Sequence, residues 1–242
     1  MKKNLVFIFF LIYPISIFSQ NILWDYPIKP GTPEWGQLHN QELKVQASQI
    51  PEGILKNLSS ENLINVYFKY PLLINILFFP TFQKGMEDFK TNFNGYGEMC
   101  LRSDIPDLLV KRYLLSFAGN IDNSWTSLKK GDFAFKFISL ELLLSQSEIL
   151  SKLTYNDRKN LLIKSVMNLD EKRKNVQVHD RLGLKSSCFL IIEILLEFNE
   201  DFLIYSPEQL NLLEKSFNST STYDDDKILQ IIELTKYIIP NL

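Results

Sequence analysis

Three apolar stretches of this chain repeat one another, and each has a wetter partner upstream. "FISLELLL" at 137–144 lines up with "FLIIEILL" at 189–196: Phe137 matches Phe189, Leu140 matches Ile192, Glu141 matches Glu193, and both close on a pair of leucines. "LQIIELTK" at 229–236 keeps the same core, with Glu233 in the glutamate position. The partners are "DLLVKRY" at 107–113, "NLLIKSV" at 160–166 and "NLLEKSF" at 211–217. The unit is therefore a helix with one wet face, a connection, and a more apolar helix. One such pair cannot bury its own apolar side, so neighbouring pairs must stack. The sequence predicts an all-α chain of stacked antiparallel helical pairs over residues 103–242, HEAT-like or α-solenoid-like. Residues 20–102 precede it as an extended segment and short helices that cap the stack, continuous with it in one domain.

The rest of the pattern agrees. Glycines are few, alternating β-type runs are nearly absent, and apolar residues recur every three or four positions. Thr32-Pro33-Glu34 and Ser206-Pro207-Glu208 each place an N-cap hydroxyl, then proline at the first helical position, then an acid near the positive helix end. Gln209 completes a capping box with Ser206. Asn94-Gly95 reads as a helix stop, and "PLLINILFFP" at 71–80 as a short buried helix between prolines.

Lys2 and Lys3, an apolar run from Leu5 to Phe18, and then Ser19 have the form of a secretory signal peptide, residues 1–19, cut between Ser19 and Gln20. The run is too short for a spanning helix, and Pro14 interrupts it. No cysteine stands at the junction, so no lipid anchor is expected. The expected compartment is the periplasm or the medium. Of 26 basic residues two leave with the leader, against 28 acids, so the mature net charge is −4. No basic stripe is present, and nucleic acid is not an expected partner. No later apolar run is long enough to span a bilayer. Cys100 and Cys188 are the two cysteines; one bridge between them and a buried free thiol in "CFLIIEILL" are both compatible with the sequence.

"WDYPIKPGTPEW" at 24–35 packs aromatics and prolines into one short run. Trp24, Tyr26 and Trp35 read as a clamp that covers the open end of the stack, with a stacking platform for a sugar ring or peptide as the rival. The same residues resemble the start of a group of uncharacterised secreted bacterial helical proteins, whose mature chains open on a W-D-Y-P-x-K-P-G-x-x-E-W pattern. "QIPEGILKNLSSENL" at 49–63 and "FNGYGEM" at 93–99 extend the likeness over roughly residues 24–115. The resemblance implies an exported helical protein and carries no catalytic residue with it.

Candidate chemistry is sparse. His179-Asp180 suggests a base oriented by a carboxylate, with Ser186 or Ser187 as a nearby nucleophile. No nucleophile elbow surrounds either serine, and the segment reads as a loop between paired helices, with a solvated histidine. His39 lies on a polar face. Glu141, Glu193 and Glu233 share a repeat position and are expected to form a carboxylate ladder along a concave face. Glu197 lies one turn beyond Glu193, and Lys164 and Lys215 are the nearby partners. "STSTYDDDK" at 219–227 places Asp224, Asp225 and Asp226 at a helix start. No glycine-rich phosphate loop, HExxH motif or cysteine–histidine pair is present, and no metal or cofactor is implied. The expectation is an exported binding protein for a protein or peptide, using Glu141, Glu193, Glu197 and Glu233. The alternatives are a small hydrolase of envelope polymers acting through Glu141/Glu193 or His179, and a glycan-binding module built on Trp24, Tyr26 and Trp35.

Overall fold

Helices carry the regular structure of the computed structural model, which describes residues 23–198, 207–219 and 225–241. The fold is all-α; apart from one isolated bridge between Thr81 and Ser219, no strand pairing occurs among the described residues. The leader at 1–19, the Ser206 cap and Asp224 lie outside the described residues.

The first half consists of short helices: α1 (Pro33–Gly36), α2 (Gln41–Ala47), α3 (Glu52–Leu55), α4 (Ser60–Phe68), a 3-10 helix (Leu73–Phe78), α5 (Phe82–Asn92) and α6 (Asn94–Leu101). Their starts follow from side-chain chemistry. Thr32, Asn40, Ser59 and Thr81 each accept a hydrogen bond from the backbone N–H three residues on, which satisfies a donor the helix itself leaves open. Asn94-Gly95 does not stop a helix. The break falls at Phe93, which is extended (φ −106, ψ 103), and Asn94 opens α6. The Asn94 amide instead bonds the backbone of Ile50 in both directions, at 3.1 and 2.8 Å, and so staples the α2–α3 connection to α6.

The second half has longer helices: α7 (Ile105–Leu115), α8 (Ser127–Leu144), α9 (Ser147–Leu150), α10 (Tyr155–Lys174), α11 (Val176–Glu197), α12 (Pro207–Asn218) and α13 (Asp225–Ile238). Helix α7 packs on α8 and α10 on α11; across the two hairpins, α7 meets α10 and α8 meets α11. Both α12 and α13 then pack against α11. From Leu184 to Leu195 nearly every α11 side chain is buried, Lys185, Ser186 and Ser187 included, because the helix is surrounded by others. The segment expected to be a loop, 176–183, is helical, with a single break at Asp180 (φ 50, ψ −167). The Asp180 carboxylate accepts from the N–H groups of Leu182, at 2.7 Å, and Gly183, so the acid beside His179 caps the restarting helix.

One cluster of buried side chains runs from Tyr26 in the cap to Leu234 in α13. Within the cap it is largely aromatic. Tyr67, Tyr70, Phe89 and Phe93 sit with ring centroids 4.9–6.4 Å apart, mostly tilted or edge-on, the geometry that aromatic quadrupoles favour. Tyr67 also donates to the carbonyl of Ser139 at 2.7 Å, joining α4 to α8. Among the described residues no helix is long and apolar enough to cross a membrane.

Candidate functional site

Helices α4 and α8 both rest on α7, and a cleft of about 540 Å³ opens between them. Its walls are single helical stripes. From α4 and its C-cap come Asn62, Asn65, Val66 and Lys69, and from α8 come Phe133, Lys136, Phe137 and Leu140, each set spaced at i, i+3, i+4 and i+7 so that all face one way. Arg112 and Leu115 close the α7 side. Beyond α7 the chain turns extended at Ser116 and brings Phe117 and Asn120 to the mouth. Leu23 and Trp24, entering from the N-terminal side, complete the rim with Phe68.

The cleft is apolar in body and positive in charge. Lys69, Arg112 and Lys136 line it, and no aspartate or glutamate does. Arg112 is half-buried. It donates to the Asn65 side chain at 2.9 Å, its guanidinium lies 5.4 Å from the Phe68 ring centre, and burial pulls its pKa below the usual arginine value against the opposing pull of Glu61. Lys136 is exposed and has no ion pair among the described residues. Among the described residues the buried indole Nε1 of Trp24 has no hydrogen-bond partner.

Phe137 forms the floor at 5% exposure, and a polar network lies directly behind it. Lys172 of α10 has its ammonium 5.1 Å from the Phe137 ring centre and bonds both oxygens of Glu141, at 2.8 and 2.7 Å. It also donates to the Gly183 carbonyl at 3.0 Å and to Ser187 Oγ at 2.9 Å. Glu141 accepts further from Tyr113 at 2.9 Å, from Ser187 at 2.7 Å and from Ser186. Lys172 and Glu141 are both 0% exposed. Burial lowers the Lys172 pKa and Glu141 holds it up. Such a pair persists only because its hydrogen-bonding capacity is satisfied.

Several expectations are corrected here. Glu141 does not line a solvated ladder; it faces the interior between α8, α10 and α11, and its partner is Lys172 rather than Lys164 or Lys215. Lys164 instead stands over the Phe117 ring at 5.5 Å. Glu233 is exposed on α13 and pairs with Lys236 at 2.7 Å. His179 is buried, not solvated. Its Nε2 lies 2.8 Å from the Ala118 carbonyl, its Nδ1 has no partner among the described residues, and burial with the nearby Lys172 charge lowers its pKa. An Nε2–H donating to that carbonyl makes it a neutral ring beneath Phe133 and Phe137. Ser186 and Ser187 bond Glu141 instead. Tyr26 is 1% exposed and meets Trp24 edge-on at 74°, so it offers no stacking face to a sugar. Trp35 lies under Lys44 and outside the cleft, and His39 is exposed between α1 and α2. Cys100 and Cys188 are unbridged thiols, and burial raises the pKa of both. Among the described residues no three His, Cys, Asp or Glu side chains are grouped to hold a metal ion.

Glu193 and Glu197 sit where α11 meets α12. Glu197 pairs with Arg158 at 3.4 Å. Glu193 is mostly buried, and that burial, followed by the charges of Glu214 and Glu197, pushes its carboxyl up to about 7. The native state therefore keeps a proton that the unfolded chain releases above its ordinary value of 4.5. Stability falls as pH rises from there through 7, and the full penalty applies above it. Glu193→Gln is expected to be more stable than the parent near pH 8 by roughly 1–3 kcal/mol and equal to it near pH 4. Urea unfolding at both pH values checks this; equal stability at both would mean that water reaches the carboxylate.

Of these cleft residues the sequence pointed only to Trp24. The available signal was the pair of stripes at 62/65/66/69 and 133/136/137/140, but what faces them is set by helices far apart in the chain. Comparison with protein-family models, with curated proteins and with solved structures gives no match.

Proposed function

We propose that this is an exported binding protein, and that the cleft between α4, α7 and α8 is where its ligand sits. The observation that carries the reading is the cleft itself: one concave, aromatic-walled space within the usual size range of small-molecule sites, with a few polar groups at its rim. The groups suited to nucleophilic or acid–base work lie behind Phe137. Lys172, Glu141, Ser186, Ser187 and His179 are all buried, and their hydrogen bonds run to one another, to the buried Tyr113 hydroxyl or to the backbone, which favours capture over chemistry. A protein or peptide ligand would enter the same space through one or two side chains. The secretory form of residues 1–19 and the likeness of residues 24–115 to exported helical proteins support the compartment.

A neutral, polarity-sensitive dye such as Nile red tests the site without presuming a charge. Asn120→Trp fills the mouth and breaks no side-chain hydrogen bond recorded for Asn120. The parent is expected to bind one dye per chain with enhanced emission, and the variant to bind at least tenfold more weakly. Equal binding by both would place the dye elsewhere and overturn the cleft as the site.

A further inference from the structure

Resting on the cleft reading, we infer that the ligand is a free amphipathic anion: an aromatic or aliphatic body in the trough, with one anionic head held by Arg112, Lys69 and Lys136. Three different parts of the chain, the C-terminal end of α4 at Lys69, α7 and α8, each send one cation into the lining, and none sends a carboxylate. The nearest acids are turned to other work. Asp25 pairs with Lys29 at 2.6 Å, although Lys69 also stabilises its charge, and Glu61 borders a neighbouring recess that it shares with Arg112, whose charge it helps hold, without entering the cleft lining. The chain as a whole carries a small net negative charge, so this positive cluster runs against its average. Arg112 is the central member. Its packing on Phe68 and its bond to Asn65 fix the guanidinium plane, and a planar fork so fixed matches a carboxylate or sulfonate better than a mobile ammonium does. Half-burial strengthens any charge pair formed there. The body of the ligand meets Phe68, Phe117, Phe133 and Phe137. Trp24 adds one further aromatic wall at the N-terminal rim.

Two dyes sharing one body separate the charge claim from the cleft claim: 1-anilinonaphthalene-8-sulfonate and its neutral analogue N-phenyl-1-naphthylamine. The sulfonate is expected to bind the parent one to one and at least tenfold more tightly than the neutral dye at low salt, with the ratio falling as salt rises. Lys136→Gln should reduce the ratio about threefold, since this lysine is exposed and its loss leaves the fold untouched. Arg112→Gln should bring the ratio to within twofold of unity. Asn120→Trp should weaken both dyes together. Decanoate should displace the bound sulfonate, and decylammonium should not. Equal binding of the two dyes to the parent, with both weakened by Asn120→Trp, would overturn the anion while leaving the cleft standing. Binding indifferent to Asn120→Trp, or no binding of either dye, would overturn the cleft with it. If the protein sediments with anionic lipid vesicles, and Arg112→Gln abolishes this while decanoate does not compete, the occupant is a lipid surface and the free-ligand assignment falls.

Discussion

Glu141→Ala and Lys172→Met, made singly, are each expected to cost about 3–5 kcal/mol, because each leaves an uncompensated charge sealed from water. For a chain of this size that is roughly a ten-degree fall in Tm. Glu141→Ala removes the acceptor for two Lys172 bonds and for the hydroxyls of Tyr113, Ser186 and Ser187. Lys172→Met leaves the carboxylate with hydroxyl donors alone, and strands the Gly183 carbonyl without its ammonium donor. The paired replacement Glu141→Leu/Lys172→Met is expected to recover most of the loss, since desolvating the ion pair is itself costly and two apolar side chains of similar volume avoid that cost. Tyr113→Phe removes one bond to a charged acceptor and should cost roughly 1.5–3 kcal/mol. A double-mutant cycle by urea unfolding measures all of these. Single variants within 1 kcal/mol of the parent would mean that water reaches the pair, and the sealed floor beneath the cleft would then be wrong.

The same network shows what periodicity can and cannot convey. The alternation of wet and apolar helices was legible, as were the Thr32 cap and the helical pairs now seen as α7–α8 and α10–α11. Glu141 and Glu193 hold the same repeat position, and from that alone they should share an environment. They do not, because α8 is covered by α10 and α11 at Glu141, whereas Glu193 faces α12 and the charge of Glu214. A repeat position fixes the face on which a side chain stands; its neighbour depends on what packs there. His179 shows the complementary failure. Its place between two paired helices made the segment around His179-Asp180 read as a loop, yet it is helical and Gly183 sits tightly inside it. A side chain there would stand 3.1 Å from His179 Cβ, and the buried carbonyl of Gly183 accepts from Lys172. The cleft was beyond reach for a related reason, since Asn65, Arg112 and Lys136 are brought together only by tertiary packing.

Gly85→Ala is the second substitution with a large expected effect, and it tests the cap independently of any charge. Helix α5 passes so close to the 3-10 helix Leu73–Phe78 that a Cβ on Gly85 would lie 2.2 Å from the Ile76 carbonyl oxygen and 2.9 Å from its Cα. The obstacle is backbone, so no rotamer change relieves it. Alanine would otherwise favour the helix by about 1 kcal/mol, and the clash must outweigh that gain. A net loss of about 3 kcal/mol is expected as the two elements are pushed apart. Gly97 in α6 and Gly131 in α8 provide matched controls: a Cβ at either meets nothing within 4 Å, so their alanine variants should gain about 0.5–1 kcal/mol. Thermal unfolding of the three variants decides the matter. Because α5 also packs on α8, separation at Gly85 should loosen the cap where it joins the stack, and dye affinity in the cleft should fall along with Tm. If Gly85→Ala matches the two controls, the 3-10 segment yields freely, and the cap cannot be the rigid wall that holds α4 opposite α8.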